Sequence, residues 1–258
     1  MYRELHVAVV IPALNEESSI GQVVDSLPPW VDEVVVCDNG STDRTAQLAA
    51  DHGARVVREA RRGYGSACLA GLAALDSQAD VVVFVDADFS DDPSRMSQLL
   101  DPLIDLPADL VIGSRLRGAC EPGALTLAQQ FGNRLACLLI RIIWGTKFTD
   151  LGPFRAIRRE AMERLAMDDR DFGWTVQMQA RAARMGLRCS EVPVTYRRRV
   201  AGRSKISGTL AGIWRAGAKI LATILAEALR PGGRRQSHSA DPISKPTRKE
   251  SESWNTLF

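Results

Sequence analysis

Five short runs rich in Val and Ile, each followed by a helical pattern, constrain this chain more than any other feature. The runs are LHVAVVIP, VDEVVVCD, ARVVRE, ADVVVFVDAD and ADLVIGSR, starting at residues 5, 31, 54, 79 and 108. Their length and content read as buried strands. Between them lie NEESSIGQVVDSL, DRTAQLAADHG, GYGSACLAGLAALD and DPSRMSQLLDPLI, which read as helices. Such alternation predicts an α/β fold with a mostly parallel central sheet and helices on both faces. In that architecture the loops at the strand C-terminal ends form the ligand crevice. Residues 12–16, 38–43, 86–88 and 113–115 all fall at such ends, so four polar segments converge on one rim.

The alternation stops after residue 120. LTLAQQFGNRLACLLIRIIWG is a long apolar-faced helix, TDLGPFRAIRREA a turn, GWTVQMQARAARMG a helix and RCSEVPVTYR a strand. Over 206–229, the residues Ile206, Leu210, Ile213, Trp214, Ile220, Leu221, Ile224 and Leu225 form an apolar stripe, with Arg215 and Lys219 on another face. The expected organisation is one α/β domain over 1–205, an amphipathic helix over 206–230 and a disordered Gly-, Ser-, Pro- and charge-rich tail over 231–258. No stretch reaches about 18 uncharged apolar residues, so no membrane span is expected. The stripe is expected on a membrane surface, with packing on the domain or in a homodimer as the open alternative.

Composition excludes several classes. Thirty-three Lys and Arg against 31 Asp and Glu give a net charge of +2, which does not suggest a nucleic-acid binder. His6, His52 and His238 are far apart, arguing against a zinc or histidine-base enzyme. Cys37, Cys68, Cys120, Cys137 and Cys189 show no CxxC spacing and suggest buried free thiols in a reduced, cytoplasmic setting. The N-terminus lacks a basic region and cleavage site, so no signal peptide is expected.

VVVFVDADFSDDP poses the chemical question: a buried strand ends by gathering carboxylates. Unpaired carboxylates repel and cost desolvation energy, so a cation belongs among them. Asp86 and Asp88 flank a small residue, Ala87, where backbone can approach a ligand. With phosphate oxygens they suit Mg²⁺ or Mn²⁺. Asp91 or Asp92, before Pro93, reads as a helix cap, and capping is the bland alternative for Asp86 and Asp88 as well.

IPALNEE, VVVCDNGSTD, GYGSA, VDADFSDDP and GSR occur in the order and spacing of family 2 glycosyltransferases of GT-A fold. TDLGPFRAIRREA and RRRVAGRSKISGT resemble polyprenyl-phosphate sugar transferases, similar to dolichyl-phosphate mannose or glucose synthases. The resemblance covers about residues 5–225. It implies a metal-dependent, inverting transfer of a hexose from a UDP- or GDP-linked donor to polyprenyl phosphate. It places Pro12, Ala13, Asn15, Glu16, Asp38, Asn39, Gly63 and Ala87 around the donor, and Asp86 and Asp88 on the metal. Arg115 would meet an anionic acceptor or donor phosphate. Arg199 and Lys205, in the pattern R-x-x-G-x-S-K, would close over the phosphates. It also implies a cytoplasmic enzyme, peripheral on the membrane face.

Two positions depart from the pattern: Asn39 stands where the family often has a second Asp, and Gln177 where the synthases commonly carry Glu. Gln cannot act as a base, which leaves Asp150 as acceptor orienter, proton relay or simple turn residue before Gly152 and Pro153. A phosphate dianion needs little base catalysis, since its second pKa is about 6. A hydroxyl acceptor, a phosphatase using its DxD as nucleophile and a non-catalytic nucleotide-sugar binder are the rivals. Phe89 and Ser90 after the DxD argue against the phosphatase.

Overall fold

The computed structural model describes residues 1–200 and 210–230, and for 210–216 the backbone alone. The seven strands are β1 (Val7–Ala13), β2 (Glu33–Asp38), β3 (Arg55–Arg58), β4 (Val81–Phe84), β5 (Leu110–Ser114), β6 (Arg155–Arg158) and β7 (Cys189–Pro193). They form one sheet in the order β3-β2-β1-β4-β6-β5-β7. All pairings are parallel except those of β6, which runs antiparallel between β4 and β5. The helices are α1 (Ile20–Asp25), α2 (Thr45–Asp51), α3 (Tyr64–Ala74), α4 (Ser97–Asp105), α5 (Leu127–Trp144), α6 (Arg159–Leu165), α7 (Trp174–Arg184) and α8 (Leu210–Leu229).

Alternate residues of each central strand feed opposite cores, as the period of a strand requires. Ala8, Val10, Val82 and Phe84 face a core shared with α3, α5, α6, α7 and Ile224 of α8. Val7, Val9, Ile11, Val81 and Val83 face the core under α1, α2 and α4. The strand order reverses between β1 and β4, where a parallel sheet opens its crevice. Ala13 pairs with Asp38, and Val85 hydrogen-bonds Val10, so the polar ends of β1, β2 and β4 are neighbours.

Three expectations are corrected. TDLGPFRAIRREA holds a strand as well as a turn: β6 is only four residues long, and Arg155 and Arg158 at its ends hid its pattern. The helix expected to begin at Asn15 begins at Ile20. Pro93–Arg95 form a separate 3-10 turn before α4.

α5 starts on a reciprocal capping box between Thr126 and Gln129 and stops at Gly145, whose φ of 81° places it in the left-handed region. The described part of the stripe on α8 divides between domain and solvent. Ile224 is buried in the core, while Leu225 is exposed. Glu227 and Arg181, both buried, pair at 2.8 Å. Lys219, expected on an open basic face, binds Asp169 at 2.8 Å instead. The side chains of Ile213, Trp214 and Arg215, like residues 206–209 and the tail from 231, lie outside the described residues. Among the described residues no helix is long and apolar enough to cross a membrane. All five cysteines are free, with Cys37, Cys68 and Cys137 buried and Cys120 and Cys189 half-buried.

Candidate active site

The cation demanded by VDADFSDD comes from the segment after β7. Arg197 N–H donates to the Ser90 carbonyl at 2.8 Å, and Asp91 bridges Tyr196, so residues 196–199 lie across residues 88–92. Arg197 reaches Asp92 at 3.0 Å. Arg199 reaches Asp88 Oδ2 at 3.0 Å and Glu16 at 3.7 Å. A basic strip thus covers an acidic one, and Arg199 ties the ends of β1 and β4 together.

Asp88 is buried, and its other oxygen accepts hydrogen bonds from the Ser90 backbone and hydroxyl. This turn holds Phe89 at φ 58°, a left-handed conformation seldom adopted by aromatic residues. Tyr64, at the start of α3, donates its phenol proton to Asp86 at 3.0 Å. Burial, and then the neighbouring Asp88, push the Asp86 carboxyl up to about 6. Of the two residues expected to cap, Asp92 takes the N-cap position before Pro93–Arg95, and Asp91 does not. It is 1% exposed, and neither carboxylate oxygen has a hydrogen-bond partner. Burial, and then Asp86, raise its pKa well above the ordinary value.

Beside this strip Arg115 is clamped by Asp150. Asp150 accepts from the Arg115 backbone N–H at 2.7 Å, Nε at 2.8 Å and Nη2 at 2.7 Å. Its side chain is fully buried. Burial works against the Asp150 carboxylate, but the Arg115 hydrogen bonds and charge outweigh it and hold the pKa below the ordinary value. The Arg115 guanidinium also lies 5.0 Å from the centre of the Tyr196 ring. Asp150 therefore positions an arginine, and its oxygens are engaged in doing so.

The remaining rim residues divide between open and structural roles. Asn15, at φ 51°, accepts from Thr42 N–H at 2.8 Å, and Glu16 N–H donates to Thr45, which fixes the loop after β1 against that after β2. Pro12 and Ala13 lie on β1 opposite Cys37 and Asp38. Asp38 accepts from Ser41 N–H at 3.0 Å. Asn39 donates to the carbonyls of Glu59 and Arg61 and accepts from Gly63 N–H, so its amide is engaged in structure. A Cβ on Gly63 would lie 2.0 Å from the Arg170 carbonyl, which requires glycine for close packing. Ala87, buried, lends its carbonyl to Ser19. Lys205 lies outside the described residues. Gln177 is buried, accepts from Asp168 and Asp169 N–H and donates to Asp168 and Glu227.

Residues 8–166 match the family model of Glycosyl transferase family 2. The chain is a family 2 glycosyltransferase. It is 32% identical over 223 residues to the undecaprenyl-phosphate mannosyltransferase of Micrococcus luteus, covering 81% of this chain and 90% of that protein. It is 33% identical over 226 residues to the dolichyl-phosphate hexose transferase of Haloferax volcanii, covering 86% and 96%. Among solved structures, glucosyl-3-phosphoglycerate synthase of Mycobacterium tuberculosis, in complex with Mn²⁺, UDP and phosphoglyceric acid, superposes with a TM-score of 0.71. There the identity is 28%, over 89% of this chain and 81% of that one. The glycosyltransferase thus has the GT-A fold and resembles the polyprenyl-phosphate sugar transferases.

Its carboxylates fit a divalent cation. Asp86 and Asp88 offer hard oxygens, and buried Asp91 beside them has two oxygens without hydrogen-bond partners. Among the described residues no cluster of three or more acidic, His or Cys side chains could hold a metal ion. The described residues therefore supply only part of a coordination shell.

Tyr64 and Arg155 escaped the sequence reading, and Asp91 entered it only as a cap. Arg155 is fully buried on β6 and donates to the carbonyls of Leu151, Gly152 and Thr175, bracing the turn that carries Asp150. The GYG and TDLGPFR segments held these side chains in view, but only the tertiary contacts assign them work.

Proposed function

We propose that this glycosyltransferase moves a hexose from a nucleotide sugar to polyprenyl phosphate, with inversion and with a divalent metal on the departing diphosphate. The observation that carries the reading is the pair of separately fixed guanidiniums. Arg199 lies over the Asp86–Asp88 carboxylates, and Arg115 is locked on Asp150 beside them. One suits the donor diphosphate and the other an acceptor phosphate. The named activities of the bacterial and archaeal relatives support the acceptor, and the Mn²⁺- and UDP-bound structural neighbour supports the donor chemistry.

In this mechanism an acceptor phosphate oxygen attacks the anomeric carbon as the bond to the donor diphosphate breaks, and the electron pair leaves on the nucleoside diphosphate. Mg²⁺ or Mn²⁺ held by Asp86 and Asp88 would neutralise charge on that leaving group. Arg199 moves from Asp88 to the phosphates when the donor enters, and Lys205 joins it. Both act most strongly where charge develops in the transition state. Arg115 orients the acceptor with the N–H groups that Asp150 leaves open, and Asp150 keeps that fork rigid. Pro12, Ala13, Asn15, Glu16, Asp38 and Ala87 border the nucleotide, whereas Asn39 and Gly63 shape the wall behind it. The enzyme works at the cytoplasmic membrane face, where its acceptor phosphate is exposed.

A second reading, a hydroxyl acceptor, is favoured by Asp91, whose buried and unpartnered carboxyl could take a proton. Thermal unfolding with UDP- and GDP-sugars tests the donor half. A ligand at 100 times its dissociation constant adds about 2.7 kcal/mol. One base should protect in Mn²⁺ and fail in EDTA; protection that ignores the metal, or none with any nucleotide sugar, defeats the reading.

A further inference from the structure

α5 is apolar on two sides. One side packs Ala136, Cys137 and Ile140 into the core. On the other, Leu127, Phe131, Leu138 and Ile142 project outward, with Phe131 71% and Ile142 69% exposed. At 3.6 residues per turn these four fall within an arc of about 60°, and exposed Arg134 and Arg141 border it on one edge. α8 packs against α5 and adds exposed Leu221, Leu225 and Leu229. Of the ten exposed large hydrophobic residues among those described, four lie on α5 and three on α8. Singly exposed apolar residues need no explanation; such clustering on two adjoining helices marks an interaction surface.

We infer that the outward face of α5, extended by α8, docks on an anionic lipid bilayer and sets the acceptor cluster at the headgroup level. Charge selects this occupant. The 18 residues of α5 include two arginines and no acid, and exposed Lys147 follows. Large apolar side chains bordered by arginines suit the headgroup boundary, where the former enter the acyl region and the latter meet anionic lipid. Position supports it too. The core side of α5 carries Asn133, whose side-chain oxygen accepts from Leu151 N–H at 2.7 Å, next to Asp150. A helix is about 10 Å thick, so the lipid-facing side lies roughly that far from Arg115 and Asp150. The surface differs from the one expected at Ile213 and Trp214, and its link to the acceptor rests on the proposed function.

The full chain should co-sediment with phosphatidylglycerol-containing vesicles, bind phosphatidylcholine vesicles at least about tenfold more weakly and lose anionic binding as salt rises. Phe131→Glu/Ile142→Glu alters exposed positions and should remain folded by circular dichroism, while vesicle partitioning drops at least about tenfold. Arg134→Gln/Arg141→Gln should lose the preference for anionic lipid while keeping the fold. Wild-type binding that survives Phe131→Glu/Ile142→Glu, or absent binding at low salt, overturns the proposal. So does a wild-type dimer that the same variant dissociates without any vesicle binding, which would make the face a protein interface. The two readings separate by acceptor. The Glu variant should lose transfer to long-chain polyprenyl phosphate in vesicles and keep transfer to a short, water-soluble prenyl phosphate. Wild-type protein that binds vesicles through this face yet uses neither acceptor upholds the surface and overturns the acceptor assignment.

Discussion

Asp150→Asn separates a positioning residue from a catalytic base. Asp150 takes three hydrogen bonds from Arg115 at 2.7–2.8 Å, two of them from the guanidinium. Asparagine keeps one acceptor oxygen and turns an NH₂ toward the second guanidinium donor, so at least one charge-assisted bond, about 1.5–3 kcal/mol, is lost. Removing one partner of a buried pair costs about 3–5 kcal/mol. Arg115 retains some water at 12% side-chain exposure, so a loss of about 2–4 kcal/mol is expected. With a urea slope of about 2–3 kcal/mol per M, the midpoint should fall by roughly 1 M. Transfer should slow by about 100-fold through a loosened Arg115, while donor affinity stays unchanged. The shape of the pH–rate profile should also persist, because Asp150 transfers no proton in this account. A variant of wild-type stability that has lost the acid limb of the profile would show that Asp150 is the base and refute the reasoning.

Asp86 makes donor binding depend on pH. Its folded-state pKa is raised to about 6, so below that pH the folded protein holds a proton that a metal must displace. At limiting Mn²⁺, metal-dependent nucleotide binding should weaken as pH falls through about 6, and flat calorimetric affinity across that range would contradict this. The same raised pKa means that the ionised Asp86 disfavours folding above about pH 6, and that protein free of metal gains stability from this group as pH falls from there toward the unfolded value. Asn39→Asp removes both donations to the Glu59 and Arg61 carbonyls and should cost about 2–5 kcal/mol at neutral pH, less in acid where the carboxyl can donate. Urea unfolding at the two pH values checks it, and an unaltered midpoint would mean that the 59–63 turn is held elsewhere.

The first half of the fold was legible because its strands are near-continuous Val and Ile runs ending in polar turns, and the DxD and Arg115 segments sit at those turns. β6 was not legible, since two arginines in four residues resemble a loop until buried carbonyls are seen to satisfy Arg155. Asp91 and Lys219 misled for a related reason: their surroundings come from residues distant in the chain, Tyr196 and Asp169 respectively. The R-x-x-G-x-S-K pattern singled out Arg199, but nothing local showed that it would pair with Asp88 and Glu16.

Transfer of labelled hexose from the nucleotide sugar that stabilises the protein tests the central claim most directly. The acceptors should be polyprenyl phosphate and the polyprenol of equal chain length, each in Mn²⁺ and in EDTA, with wild type and Asp88→Asn. The account predicts lipid-linked product only for wild type with the phosphate acceptor in Mn²⁺. Product formed on the polyprenol, in EDTA or by Asp88→Asn at the wild-type rate would contradict it.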